Sequence, residues 1–362
     1  MRLWSVFLLS FTLMVVACSP NSKVPEVDDA LAAKEADIQR EIALTDSRKH
    51  FDRLQKVANP IFLANTDLCG KKLKPFFGAM IVSTDFFPKE YKDTVQRLYG
   101  LEEQATVYYI DPLSPVAGKL QERDLVLAVN DKKIREGKSG VQSVNKILAD
   151  KDLIDQATSF TISRDGVEQQ ITITPPASCV GRALAADTTS INAYADGKNI
   201  IVTTGMMNFA AKDTELALVI GHELAHNSRK HVEAKKKNAM LGMVLGAVVT
   251  GVTGVNVMGL GQGLGAGAFS QGFEYEADYV GLYHTAKAGY DISEAPNFWR
   301  RMGAKHPAAI HLKGTSHPSS AKRFVALEET VAEIKAKQAS GAPLVPEEKA
   351  KEEHVHEERG LN

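Results

Sequence analysis

The pentad His222-Glu223-Leu224-Ala225-His226 combines residue types that bind metal and move protons. On a helix, positions four apart leave the same face one turn from each other, so both imidazoles point the same way. That spacing suits two ligands of a tetrahedral zinc ion. Glu223 lies one step around the helix, beside the metal position rather than on it. There a carboxylate can take a proton from an attacking water. The flanking sequence reads as helix: Asp213 or Thr214 can cap its start, Glu215 suits the positive end of the dipole, and Leu216, Val219, Ile220 and Leu224 form an apolar stripe. A solvated helix with an accidental match is the competing reading. The apolar surroundings favour zinc, because such a site needs a dry, rigid helix.

Two histidines leave a tetrahedral site incomplete. Downstream, Phe273-Glu274-Tyr275-Glu276-Ala277-Asp278 opens a second helical stretch. Glu274 offers a third ligand, which leaves the fourth position open for water. Asp278 shares its face and is placed to accept a hydrogen bond from a ligand histidine. Taken alone, the two acids fit an ordinary helix start equally well.

The pentad followed by F-E-x-E-A-D-x-x-G resembles the M48 family of zinc metallopeptidases, the group of the Ste24 and BepA-type proteases. Further segments follow in the family's order: Asn192-Ala193-Tyr194-Ala195-Asp196-Gly197 and Thr204-Gly205-Met206 upstream, then Ala288-Gly289-Tyr290-Asp291, Phe298-Trp299-Arg300-Arg301-Met302, and Ser316-His317-Pro318-Ser319 with Arg323. The resemblance covers roughly residues 180 to 330 and is specific, because several motifs recur in one order. It implies one Zn2+ per chain held by His222, His226 and Glu274, with Glu223 as the base and His317 near the metal as a partner for the oxyanion. Asp278 and Arg323 would stand behind the ligands. The implied fold class is α+β: a mainly helical zincin-type domain with a small β-sheet, plus a β-rich module.

The elements that must carry these residues follow from the rest of the chain. Residues 1–17 read as a signal peptide, with Arg2 ahead of an apolar run, and Val15-Val16-Ala17-Cys18 resembles a lipobox. Acylation of Cys18 would anchor an exported protein to the periplasmic side of the outer membrane; a plain signal peptide or short anchor helix is the alternative. Residues 18–26 form a polar tether. Residues 27–68 are read as a helix packing on the protease domain, with Leu31, Ile38, Ile42, Leu44, Phe51, Leu54 and Val57 at helical spacing. Cys69 and Cys179 are then the two remaining thiols, best read as a disulfide in an oxidising compartment rather than as buried free thiols.

The bracketed stretch, residues 69–179, resembles a PDZ domain through Val107–Ala117 and Leu120–Asn130, although Arg123 and Asp131 stand where glycines are usual. Such domains add a peptide strand to a sheet edge. Gly100-Leu101 is the best candidate for the peptide-binding loop, and a spacer without a ligand is an equal reading. The protease domain spans residues 180–337, and its strand Ile200–Thr203 is expected to pair with extended substrate. The uncharged, Gly-rich stretch from Asn238 to Phe273 is expected to form an apolar hairpin beside the site rather than a membrane crossing. Residues 338–362 are expected to be disordered.

A net charge of −1 with mixed signs points away from nucleic acid. The expected function is a zinc endopeptidase of the bacterial envelope acting on unfolded or misassembled proteins. The alternative is a chaperone-like assembly factor with a latent protease and a peptide-binding module.

Overall fold

The computed structural model describes residues 22, 25–238, 240, 270–305 and 321–348. The leader, Cys18, most of the Gly-rich stretch, His317 and the last residues of the chain lie outside the described residues. No helix among the described residues is long and apolar enough to cross a membrane.

Helix α1 (Asp29–Ala64) begins at Asp28, whose side chain accepts from the N–H groups of Ala30 and Leu31 and so satisfies two of the orphan donors of the first turn. Its apolar spacing is continuous, but only its later part is covered. Leu54, Val57, Ala58, Ile61 and Phe62 join the core of the helical half of the protein. Leu44 and Phe51 meet Val82, Val95, Leu101, Tyr108 and Tyr109 of the β-rich half. Leu31, Ile38 and Ile42, expected to be part of the packed stripe, are 64%, 45% and 57% exposed. The helix therefore does not pack on the helical half alone, as expected for it; it lies along both halves. Arg48 ties it to the β-rich half, with Nη1 donating to Tyr108 O at 2.9 Å, Nη2 to Glu122 at 2.6 Å, and the guanidinium 4.6 Å from the Tyr108 ring centre.

The β-rich half hangs from a two-stranded neck. Strands β1 (Leu73–Pro75) and β8 (Ala177–Cys179) pair antiparallel with Leu73 opposite Cys179. A disulfide between Cys69 and Cys179, S–S 2.02 Å, closes the neck. Beyond it, β2 (Ala79–Val82), β3 (Thr106–Ile110), β4 (Leu125–Val129), β6 (Thr158–Arg164) and β7 (Val167–Ile173) form one sheet in that order, with β5 (Lys132–Lys133) beside β4. Alternation in β6 sends Thr158, Phe160 and Ile162 into the core. Helices α2 (Lys92–Tyr99) and α3 (Gly137–Leu148) complete this half.

Three turns there repay attention. Asp165 and Gly166 both take positive φ, as a two-residue hairpin loop requires. Arg123 and Asp131 also sit at positive φ, +78° and +62°, so the turns form without the usual glycines. Such a residue costs roughly 1–2 kcal/mol; for Arg123 a hydrogen bond from Nη2 to Leu98 O and packing across Gly100 offset it. Gly100 is the left-handed cap that ends α2, its N–H donating to Gln96 O. Leu101 is fully buried in the cluster beneath α1. Gly100 thus ends a helix under Arg123, and the Leu101 side chain fills a core.

The helical half holds a three-stranded sheet ordered β10 (Ala193–Ala195), β11 (Ile200–Thr203), β9 (Ala183–Ala186). Strand β11 is antiparallel to β10 and parallel to β9. It is the central one of the three described strands, flanked by β10 and β9, so the substrate strand expected there finds no open edge on it. Next come α4 (Thr204–Phe209), α5 (Asp213–Ser228), α6 (Ser270–Lys287), α7 (Ala295–Lys305) and α8 (Ala321–Ser340). The segment after α8 was expected to be disordered from residue 338, yet its described part is docked. Leu344 packs on the core, Lys337 Nζ donates to Val345 O, and Glu348 pairs with Arg229 at 2.7 Å.

Candidate metal centre

Helix α5 is buried along nearly its whole length, from Glu215 to Asn227. That burial is unusual for a helix carrying two histidines and two glutamates, and it needs partners for each. The start of the helix differs from expectation. Lys212 holds the N-cap position without a side-chain cap bond, and Asp213 is the first helical residue. Asp213 instead pairs with Arg53 and Lys56 of α1 at 3.0 and 3.2 Å. Arg53 also donates to the carbonyls of Met207 and Ala210, which fixes the loop into α5. Glu215 pairs with Arg301 of α7 at 2.7 Å.

Helix α6 crosses α5 at two glycines. A Cβ on Gly281 would stand 2.8 Å from His222 Cα and 2.9 Å from His222 N. A Cβ on Gly221 would stand 2.2 Å from Thr285 Oγ1 and 2.6 Å from Gly281 O. The two backbones touch here because neither residue has a side chain. This close approach brings Glu274 and Asp278 of α6 under His222 and His226 of α5.

The three expected ligands meet. His222 Nε2 and His226 Nε2 are 3.2 Å apart, and the Glu274 carboxylate reaches 3.4 Å from each through its two oxygens. All three residues are buried. A tetrahedral ion bound at about 2.0–2.1 Å separates its ligand atoms by about 3.3–3.4 Å. The two nitrogens, and each nitrogen with its own carboxylate oxygen, stand close to that spacing, and two nitrogens with one carboxylate are the donor set of catalytic zinc. The residues present therefore fit zinc. Glu223 lies buried next to His222 on the same helix.

Charges behind the ligands are arranged in a second tier. Asp278 Oδ1 lies 3.1 Å from His222 Nδ1. Arg323 of α8, itself buried, grips Asp278 with Nε and Nη2 at 2.6 and 2.7 Å and sets Nη1 3.3 Å from Glu274. Lys235 Nζ lies 3.9 Å from the other Glu274 oxygen. Burial pushes the His222 imidazole down, but hydrogen bonds to Asp278 and Glu274 outweigh it and raise it to about 9 in the metal-free protein. Burial dominates at His226 and lowers it to about 4. Burial raises the Asp278 carboxyl, and Arg323 with His222 more than reverses it, so the group lies below its ordinary value. The Trp299 ring closes one side of the site, 5.1 Å from the His222 ring.

Sequence reasoning did not find three parts of this centre. The paired glycines Gly221 and Gly281 carry no signal until the partner helix is known. Trp299 was part of a quoted motif but had no assigned place. His231, five residues after His226, would face away from the ligands on an unbroken helix; it lies 3.0 Å from His226, Nδ1 to Nδ1.

Residues 175–331 match the profile of Peptidase family M48, a span that contains His222, Glu223, His226, Glu274, Asp278, His317 and Arg323. The chain is also similar to the mitochondrial metalloendopeptidase OMA1 of Arabidopsis thaliana, 38% identical over 128 residues, which are 34% of this chain and 26% of that protein. It is similar to the beta-barrel assembly-enhancing protease of Yersinia pestis, 29% identical over 126 residues, 31% of this chain and 26% of that protein. A third relative is the mitochondrial metalloendopeptidase OMA1 of Schizosaccharomyces pombe, 31% identical over 150 residues, 39% and 43% of the two chains. The chain spans less than half the length of each of these relatives.

Proposed function

We propose that this chain is a zinc-dependent endopeptidase of the bacterial cell envelope that hydrolyses peptide bonds in unfolded or misassembled proteins. The observation that carries the reading is the buried convergence of His222, His226 and Glu274, with the two Nε2 atoms 3.2 Å apart, each 3.4 Å from a different oxygen of the Glu274 carboxylate, and a glutamate beside them. Bound there, zinc supplies Lewis-acid polarisation of the peptide carbonyl and acidifies a water at neutral pH. Glu223 takes the proton of the attacking water and delivers it to the leaving amine. Burial of the site excludes bulk water, which strengthens electrostatic stabilisation of a developing oxyanion there. His317 shares that oxyanion charge. Asp278 and Arg323 hold His222 and Glu274 in place.

The envelope assignment rests on the leader-like residues 1–17, on Cys18 as an acylation site, and on likeness to proteins named for β-barrel assembly. The disulfide agrees with an oxidising compartment. A substrate in extended form suits a site next to a β-sheet, because only unfolded or loosely folded chains offer a strand for pairing. The PDZ-like half, fixed to α1 by Arg48, would present such chains.

The test is cleavage of an unfolded casein-like substrate by the purified mature protein, with and without a chelator, beside Glu223→Gln. Cleavage should stop with chelator and return with zinc, and the variant should fall by about 10²–10⁴-fold, the usual contribution of a general base. Undiminished cleavage by Glu223→Gln, or a wild-type protein that holds no metal, would sink the reading.

A further inference from the structure

His231 follows His226 by five residues. On an unbroken helix, five positions advance about 140° past a full turn, away from the ligand face. The helix is broken: α5 ends at Ser228, and Lys230 adopts φ +59° before the chain turns helical again at His231. A left-handed residue just after a helix redirects the chain. His231 comes back against α5, with Nδ1 3.0 Å from His226 Nδ1 and Nε2 2.9 Å from Glu276 Oε2. The ring is 1% exposed and stacks on Phe273 at 4.6 Å between centres. It meets the His226 ring edge-on at 5.0 Å.

We infer that His231 is a positioning residue for His226, fixing its tautomer and ring orientation through a line from His226 Nδ1 through His231 to Glu276. The inference rests on the reading that His222, His226 and Glu274 hold a metal ion. His226 turns Nε2 toward His222 and Glu274, so a neutral ring that ligates through Nε2 carries its proton on Nδ1. His231 Nε2 faces a carboxylate, which only accepts, so this nitrogen carries the His231 proton. His231 Nδ1 is then a lone pair and accepts from His226 Nδ1–H. With both rings neutral, the two short contacts permit only this assignment. Arg229 Nε, 3.8 Å from Glu276 Oε1, steadies the far end.

The two ligand histidines are therefore backed by different groups. Behind His222 stands Asp278, a buried carboxylate gripped by Arg323. Behind His226 stands an imidazole whose own partner, Glu276, is half exposed. Partners of this kind govern metal affinity by about 10–100-fold.

The experiment compares wild type, His231→Leu, His231→Gln and Glu276→Gln by zinc affinity in chelator competition, by the absorption bands of the cobalt-loaded proteins, and by unfolding of the metal-free proteins. Wild type should bind one equivalent of zinc. His231→Leu, which fills the space beside Phe273 without polar atoms, should bind about 10–100-fold more weakly and shift the cobalt bands. His231→Gln, whose amide accepts and donates, should recover most of that loss. Zinc affinity and cobalt bands of His231→Leu equal to wild type, with only metal-free stability changed, would overturn the role; so would His231→Gln binding as weakly as His231→Leu. Should His231→Leu not fold, Glu276→Gln decides: a several-fold weaker zinc affinity with unchanged unfolding supports the line, and wild-type affinity overturns it. A wild-type protein that binds no zinc removes the metal reading and this inference together, whereas a zinc-binding wild type with indifferent variants removes only the inference.

Discussion

Gly281→Ala places one methyl group where α6 touches α5. The added carbon would stand 2.8 and 2.9 Å from backbone atoms of His222. Ordinary carbon contacts are about 3.5–4.0 Å, so the helices must separate locally by about 0.7 Å or more. Neither neighbour can yield alone, because both are main-chain atoms of a buried helix. Two effects oppose each other in stability. Alanine gains about 1 kcal/mol over glycine inside a helix, while overpacking a close contact costs about 1–3 kcal/mol. The net should lie between no change and a loss of about 2 kcal/mol. Metal affinity carries no such compensation. Glu274 rides on α6 two turns before Gly281, and the ligand triangle tolerates only about 0.2 Å of error. Zinc should bind at least about tenfold more weakly, on the scale of lost ligand support. Gly272→Ala on the same helix is the control, since a Cβ there meets nothing within 4 Å. Thermal unfolding of both metal-free variants, with zinc affinity by chelator competition, reads the outcome. If Gly281→Ala gained stability as Gly272→Ala is expected to and kept wild-type zinc affinity, the close helix crossing would not be what aligns the ligands.

Arg323→Met removes the cation that neutralises Asp278 and Glu274, both buried. Breaking a buried pair in this way costs about 3–5 kcal/mol; urea unfolding of the metal-free variant within 1 kcal/mol of wild type, on the same scale, would contradict the pairing. His284 is fully buried, and burial, with Arg229 and Lys287 nearby, lowers it to about 3. Its folded value lies below its unfolded value, so its stabilising contribution is complete above pH 6.5 and is lost as pH falls toward about 3. The slope is about 1.4 kcal/mol per pH unit, so about 2 kcal/mol should be gone at pH 5 relative to pH 7. The difference between wild type and His284→Asn in unfolding free energy against pH should show that slope, and a flat difference would refute it. Opening the Cys69–Cys179 bond frees a loop of 110 residues, worth at most about 4–5 kcal/mol in the chain-entropy account. Cys69→Ser with Cys179→Ser should lower the urea midpoint accordingly, and an unchanged midpoint would argue against the cross-link.

Local rules reached the parts of this protein that are local. The spacing of His222 and His226 reports one helix face, and the apolar stripe around it reports burial, so both were legible without coordinates. Glu274 and Asp278 were legible as a pair on one face; that they meet the histidines came from family resemblance, not from spacing. What stayed hidden depends on a partner element. The stripe of α1 runs unbroken through Leu31, Ile38, Leu54 and Val57, but among the described residues only its later members are packed. The strand Ile200–Thr203 was recognisable by its β-branched run, while its central place in the sheet is a long-range fact. Arg123 and Asp131 looked unsuited to their turns because the packing that holds Arg123 comes from α2, with Leu98 lying 25 residues earlier in the chain.

The same distinction explains why the second tier of the metal centre was harder to read than the first. A ligand must be a His, Glu, Asp or Cys, so residue type alone narrows the choice. A supporting residue can be any group that satisfies the far side of a ligand, and here three differ in kind: a carboxylate behind His222, an imidazole behind His226, and a guanidinium behind Glu274. They arrive from α6, from the chain just past the break after α5, and from α8. The contact of two helices at Gly221 and Gly281 sets Asp278 against His222 and Glu276 against His231, while the left-handed turn at Lys230 brings His231 to His226. A change at either glycine should therefore disturb more than one support at once, whereas a change at Arg323 or His231 should disturb one. Zinc affinities of Gly281→Ala combined with His231→Leu should be less than additive on this account, because the first substitution already displaces what the second removes.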